Sequence, residues 1–238
     1  MDGKVLLVCI LYGHGVIFVP LVHCLIYEYH FINTPVTWSE AQQYCRENFT
    51  DLATIEREED LSKLAIPSGQ WAWIGLHDNP AAWKNVMTAD PNSWRWSATG
   101  TTSPGGYQNW ALTQPDNYNA GESCVYIKNN MWADYSCKGS APCACYKDQS
   151  GVKEFFLIKN IYRTWAECQS VCRQQYQDLA MIESEAENQA LGAKAGQTAT
   201  WIGLYREPWL WSDLSSSSYR KWLPGSPNNY GGRYRVQW

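Results

Sequence analysis

The chain carries one long motif series twice. Thr37-Trp38-Ser39-Glu40 returns as Thr164-Trp165-Ala166-Glu167, Cys45-Arg46 as Cys172-Arg173, and Asp51-Leu52-Ala53 as Asp178-Leu179-Ala180, with Ile55 answered by Ile182, all 127 positions apart. Trp73-Ile74-Gly75-Leu76 then returns as Trp201-Ile202-Gly203-Leu204, and Trp94-Arg95-Trp96-Ser97 as Trp209-Leu210-Trp211-Ser212. Pro115-Asp116-Asn117-Tyr118 returns as Pro227-Asn228-Asn229-Tyr230. A period this long exceeds any solenoid repeat and means two copies of one domain. The second copy stops before anything that answers Cys124, Asp134 or Cys145. It therefore reads as incomplete: unstable alone, or dependent on strands borrowed from another chain.

The shared segments predict local structure. Thr37 with Glu40 forms a capping box, and Trp38, Ala41, Tyr44 and Cys45 follow at helical spacing. Polar residues from Asn48 to Asp51 end that helix, and Leu52 to Ile55 reads as a short strand. A second helix is predicted from Glu56 to Ala65, and its copy starts with a better cap, Ser184 with Glu187. Trp73 to Leu76 is an aromatic core strand. From about Asp78 to Asp116 the chain is rich in Pro, Gly, Ser, Asn and Trp, which predicts a long ordered loop, and loops of that length usually carry function. Cys124 to Ile127 and Ala144 to Tyr146 read as closing strands. The pattern is that of a small α+β domain with two helices, small antiparallel sheets and a long ordered loop region.

Nine cysteines are an odd number, and Cys143-Ala144-Cys145 is the only close pair. No zinc-type spacing appears, and a disulfide framework in an oxidising compartment fits better. Cys168 and Cys172 lie at i and i+4 on one helix and face the same side. The net charge of -4 and the lack of Lys/Arg runs exclude a nucleic-acid partner. Fourteen Trp and fifteen Tyr favour large cores and binding surfaces. Neither a Gly-x-Ser-x-Gly elbow nor a His-Glu-x-x-His helix occurs, so the chain does not read as an enzyme.

Lys4 precedes an apolar run from Val5 to Ile26, broken by Gly13-His14-Gly15 and Pro20. Residues 1–26 are expected to be a signal peptide, with a membrane anchor as the alternative. Secretion is the favoured reading, cell-surface display the other. Asn48-Phe49-Thr50 is a glycosylation sequon consistent with that route.

At these residues the chain resembles the C-type lectin family: the Thr-Trp-x-Glu helix with Cys45, the Trp-Ile-Gly-Leu strand, Gln114-Pro115-Asp116 and Cys124, Cys137 and Cys145 follow in the family's order. The resemblance covers residues 27–147 as a complete domain and 153–238 as an incomplete one. The tandem arrangement is similar to fish-type lectins. It implies disulfides Cys45–Cys145 and Cys124–Cys137. Cys143 and Cys168 depart from the pattern.

The resemblance also implies a calcium site made by Gln114, Asp116, Glu122 and Asp134, with a cis bond at Pro115 aiming Gln114 and Asp116 to one side. One amide oxygen and three carboxylates suit a hard cation. The departure is Ala133, where the family has an asparagine that serves both calcium and sugar. Gln-Pro-Asp resembles the galactose-type motif, so a glycan of that type would bind at Gln114, Asp116, Tyr118 and Glu122, Tyr118 offering a ring to stack on. Trp110 and Trp132 are expected in the core. Two other functions compete: a calcium-independent module binding a protein through its aromatic loops, and a glycosidase using Glu122 and Asp134, the weakest of the three.

Overall fold

The computed structural model describes residues 5–14, 25–84, 90–224, 226–227 and 235–237. The chain divides into two compact units. One takes Met1–Asp78 with Trp209–Leu223 and Tyr230–Trp238; the other takes Asn79–Pro208 with Pro224–Asn229. These bounds do not follow the sequence repeats. Each unit joins one repeat's helical half to the other repeat's loop half.

In the first unit, β1 (Val5–His14) pairs antiparallel with β2 (Leu25–Ile32). Part of the expected leader is therefore strand here, while residues 1–4 and 15–24 lie outside the described residues. The predicted capping box holds α1 (Trp38–Asn48): Thr37 and Glu40 exchange both bonds. Trp38, Ala41 and Cys45 form its buried face. Then come β3 (Asp51–Leu52), α2 (Glu58–Lys63) and β4 (Trp71–His77). β1 lies antiparallel to β3, with Cys9 opposite Leu52, and parallel to β4.

In the second unit, α3 (Pro80–Trp83) and β5 (Arg95–Trp96) interrupt the long loop. β6 (Cys124–Lys128) and β7 (Met131–Tyr135) form a hairpin through Asn129 and Asn130, both at positive φ. Paired positive φ is the two-residue turn that matches strand twist, and Asn tolerates it. β8 (Ala141–Gln149) turns directly into β9 (Val152–Arg163) through Ser150 and Gly151, also at positive φ. This tight turn lies at the repeat boundary. α4 (Trp165–Gln175) is capped by Thr164 and Glu167 as α1 is by its own pair. β10 (Asp178–Leu179), α5 (Glu185–Ala195) and β11 (Thr200–Tyr205) complete the unit. The sheet order is β10-β8-β11-β6-β7, with β5 on β11 and β9 on β8.

The chain then returns to the first unit, where β12 (Leu210–Trp211) and β13 (Arg235–Gln237) pair with β4. Asn228 to Tyr230, the repeat of Asn117's segment, lie outside the described residues.

Both units use the same joint between halves. Ser97 donates to Asp178 at 2.7 Å while Arg173 donates to the Ser97 carbonyl; Ser212 donates to Asp51 while Arg46 donates to the Ser212 carbonyl. The repeated glycine of the core strand is a close-approach residue: a Cβ on Gly203 would lie 3.0 Å from the Leu179 carbonyl oxygen. Its N–H instead bonds the Ala180 carbonyl.

The disulfides correct one expectation. Cys124 is bridged to Cys137, but Cys145 is bridged to Cys172 rather than to Cys45, and Cys143 to Cys168. The reason is local. The two-residue turn after β8 sends the chain straight back as β9, so β8 lies beside the second repeat's α4. Cys45 is itself disulfide-bonded. No helix among the described residues is long and apolar enough to cross a membrane.

Candidate functional site

The site belongs to the second unit. A bridge between Trp110 and Trp132, with Ala111 N–H on the Trp132 carbonyl and Trp132 N–H on the Asn109 carbonyl, lays the end of the long loop along β7. That brings Gln114 to Tyr118 beside Asp134. The tryptophans of the loop do the anchoring. Trp94, Trp96 and Trp132 are fully buried, and Trp94–Trp110, Trp96–Trp132 and Trp110–Trp132 ring centres lie 5.0, 5.7 and 5.9 Å apart. Trp132 is core, as expected from its place, and Trp110 is half-buried against it.

Asp116, Glu122 and Asp134 converge so that ligand oxygens lie within 4.8 Å of one another. Asp134 sits buried on β7 and accepts the backbone N–H groups of Asp116, at 3.1 Å, and Asn117, at 2.8 Å. Glu122 accepts the Tyr118 N–H at 2.9 Å. The Gln114–Pro115 bond is cis, and the Gln114 Oε1 atom is buried with no hydrogen-bond partner among the described residues. Tyr118 is exposed at the rim, as is Leu112.

Electrostatics follow from this crowding. Burial pushes the Glu122 carboxyl up to about 7; the Tyr118 N–H opposes, and the charges of Asp134 and Asp116 add to the rise. Burial also raises Asp134, against the bonds from Asn117 and Asp116. Burial and like charge together thus favour the protonated forms of this cluster.

The donor set fits a hard divalent cation: three carboxylates and a free amide oxygen, short of the six to eight oxygens calcium takes, the remainder being open to water or ligand. Ala133, buried on β7, has no side-chain oxygen to supply.

Three of the four predicted ligands, Asp116, Glu122 and Asp134, thus come together in one place, with Gln114 and Tyr118 on the same loop segment. Asn48 does not belong to it. It is exposed at the end of α1, its carboxamide donating to the Tyr44 carbonyl. Sequence reasoning missed Asn117. At positive φ and 4% exposed, it gives its N–H to Asp134 and accepts the Glu122 N–H on Oδ1 at 3.2 Å. The signal was present, since Asn is favoured among residues that adopt a left-handed backbone.

In the second repeat, Ser226-Pro227 has a cis bond too, but Ser stands in Gln114's place.

Comparison with known proteins agrees with this geometry. The family model described as the lectin C-type domain matches residues 34–147 and 161–236. C-type mannose receptor 2 of Mus musculus is 26% identical over 240 aligned positions, covering 86% of this chain and 15% of the relative. L-selectin of Bos taurus is 30% identical over 129 positions, 50% of this chain and 32% of the relative. E-selectin of Oryctolagus cuniculus is 32% identical over 129 positions, 50% of this chain and 21% of the relative. The chain thus spans a third or less of the length of each of these relatives. No solved structure matches. With both repeats matched over most of the sequence, the chain belongs to the C-type lectin domain family.

Proposed function

We propose that this chain is a secreted, calcium-dependent carbohydrate-binding protein of galactose type, and not an enzyme. The observation that carries the reading is the convergence of Asp116, Glu122 and Asp134 beside an unpartnered Gln114 oxygen. Bound calcium would supply coordination for two neighbouring sugar hydroxyls. The chain's own residues would do the rest. Asp134 orders the loop through two N–H bonds and faces the cation. Glu122 and Gln114 accept from sugar hydroxyls while ligating. The exposed Tyr118 ring offers a stacking face for the apolar side of galactose. The names of the relatives, a mannose receptor and selectins, are those of binding proteins. Glu122 and Asp134 share one cluster with Asp116, which suits cation ligands better than an acid and a base on opposite faces of a sugar. The disulfides fit an oxidising compartment.

The test is calorimetric titration of calcium into the full chain, then of galactose and mannose. One calcium site with galactose preferred is the expected result, and Asp134→Ala abolishes both. No uptake at roughly millimolar calcium, the range of weak extracellular sites, would sink the reading. A second reading then applies: a calcium-independent module gripping a protein through exposed Leu112 and Tyr118. Ala133 favours it; Trp94 and Trp96, being buried, do not.

A further inference from the structure

The loop half of the first repeat, residues 79–149, has two helical halves to choose from. Its own repeat offers α1 and α2; the second repeat offers α4 and α5. The common joint does not discriminate, because Arg46 and Asp51 present to Ser212 what Arg173 and Asp178 present to Ser97. The sequence repeat by itself favours neither.

We propose that the site-bearing half of the first repeat is built to accept the second repeat's helical half, and that Cys168, Asn188 and Gly192 are the residues that select this partner. Each differs from its counterpart 127 positions earlier, the offset that also relates the buried pair Leu64 and Leu191.

Cys168 is bridged to Cys143, and its counterpart is Ala41. On α1, Cys145 would still find Cys45, but Cys143 would face a methyl group and Cys168 would be left as a second unpaired thiol. The two cysteines that depart from the family's pattern are thus each other's partners, and only in the exchanged pairing.

Asn188 is fully buried. Its Oδ1 accepts the Trp132 indole N–H at 2.8 Å, and its Nδ2 donates to the Asn130 carbonyl at 2.8 Å. The counterpart is Leu61, which can do neither and would strand a buried indole N–H and a carbonyl.

Gly192 lies against the β6–β7 turn. A Cβ there would come 1.7 Å from Asn130 Oδ1 and 3.1 Å from the Asn130 Cα, and the counterpart is Ala65. The Asn130 side chain would have to move aside and the turn backbone to give by a few tenths of an ångström. The three contacts fall on two elements, Cys168 on α4 and Asn188 and Gly192 one turn apart on α5, and all disfavour the in-repeat partner.

Non-reducing proteolysis and mass spectrometry of the full chain test this. The expected products join Cys143 and Cys145 to Cys168 and Cys172; a Cys45–Cys145 peptide as the main product overturns the proposal. The variant Cys143→Ala, Cys168→Ala, Asn188→Leu, Gly192→Ala carries the first repeat's residues at the three selecting positions and removes the partner of Cys168. Refolded from the reduced state, it is expected to shift Cys145 from Cys172 toward Cys45. If Cys145 stays with Cys172 alone, these residues do not select. Should that variant fail to refold, Cys143→Ala with Cys168→Ala is read by the same criterion. None of these readouts uses calcium, so this pairing and the calcium reading fail separately.

Discussion

Ala133 and Glu122 set how well the site works. Ala133 lies next to Asp134 on β7 and opposite Tyr126 on β6. Ala133→Asn adds the missing oxygen and is expected to tighten calcium binding about tenfold, on the scale of changing one coordinating or supporting group, as calorimetry would show. Glu122 gives the site a pH dependence. Its carboxyl stands near 7 in the folded chain against 4.5 for the ordinary group. The folded state therefore holds this proton more tightly than the unfolded state. Without calcium, this group's contribution to stability is fully present below pH 4.5 and is lost as the pH rises through 7. Calcium needs the carboxylate, so its affinity falls by about tenfold per unit as the pH drops below 7. Thermal melts of the chain and of Glu122→Gln, with and without calcium from pH 4 to pH 8, check both signs; apo profiles that do not differ between the two would refute the Glu122 assignment. The cluster of Asp116, Glu122 and Asp134 was legible in the sequence, because the spacing of these residues to Cys124 and Cys137 follows the family's pattern; the roles of Gln114 and Tyr118 rest on the proposed function. Asn117 was hidden, because its part is to donate and accept inside the loop rather than to face a ligand.

The elements were legible where their signals are local. Both Thr-x-x-Glu boxes cap helices that begin at the following Trp, and each Trp side chain donates to a carbonyl of the core strand, Trp38 to Ile74 and Trp165 to Ile202. The second helix of the first repeat is shorter than predicted, Glu58–Lys63, whereas its copy runs eleven residues from a Ser184 cap. Both helices start at equivalent positions, and the difference lies at the end: Ala65 takes a positive φ and Pro67 follows it, whereas the copy continues through Ala195. Among the described residues of the tryptophan-rich loop, Trp94 and Trp96 are core, and Trp96 packs on Trp132 of β7. Trp132→Phe removes the indole N–H and leaves the Asn188 oxygen stranded inside the protein. A loss of about 1–3 kcal/mol is expected from that acceptor alone, read by urea unfolding, with calcium stoichiometry unchanged.

For the whole molecule, the repeat established that two copies of a fold are present but not how their halves combine. Motif order along the chain is the same whether residues 79–149 close on 27–78 or on 153–208. Only contacts between distant positions decide, and the deciding residues are ordinary ones: an extra cysteine pair, an asparagine among leucines, a glycine in a helix. Cys143 and Cys168 were visible as departures from the family's pattern, yet nothing local says they belong to each other. The second copy's helical half becomes intelligible in the same light. It is not short of closing strands, because β8 lies against β10 and β11.

The tight turn at Ser150 and Gly151 has a practical consequence. Anyone trimming this protein by its sequence repeats would cut there, between the copies, and would sever a continuous hairpin rather than a linker. The two pieces would not part. Cys143–Cys168 and Cys145–Cys172 straddle the cut, so a chain nicked at that point would run as one band on a gel until a reductant is added, and as two afterwards.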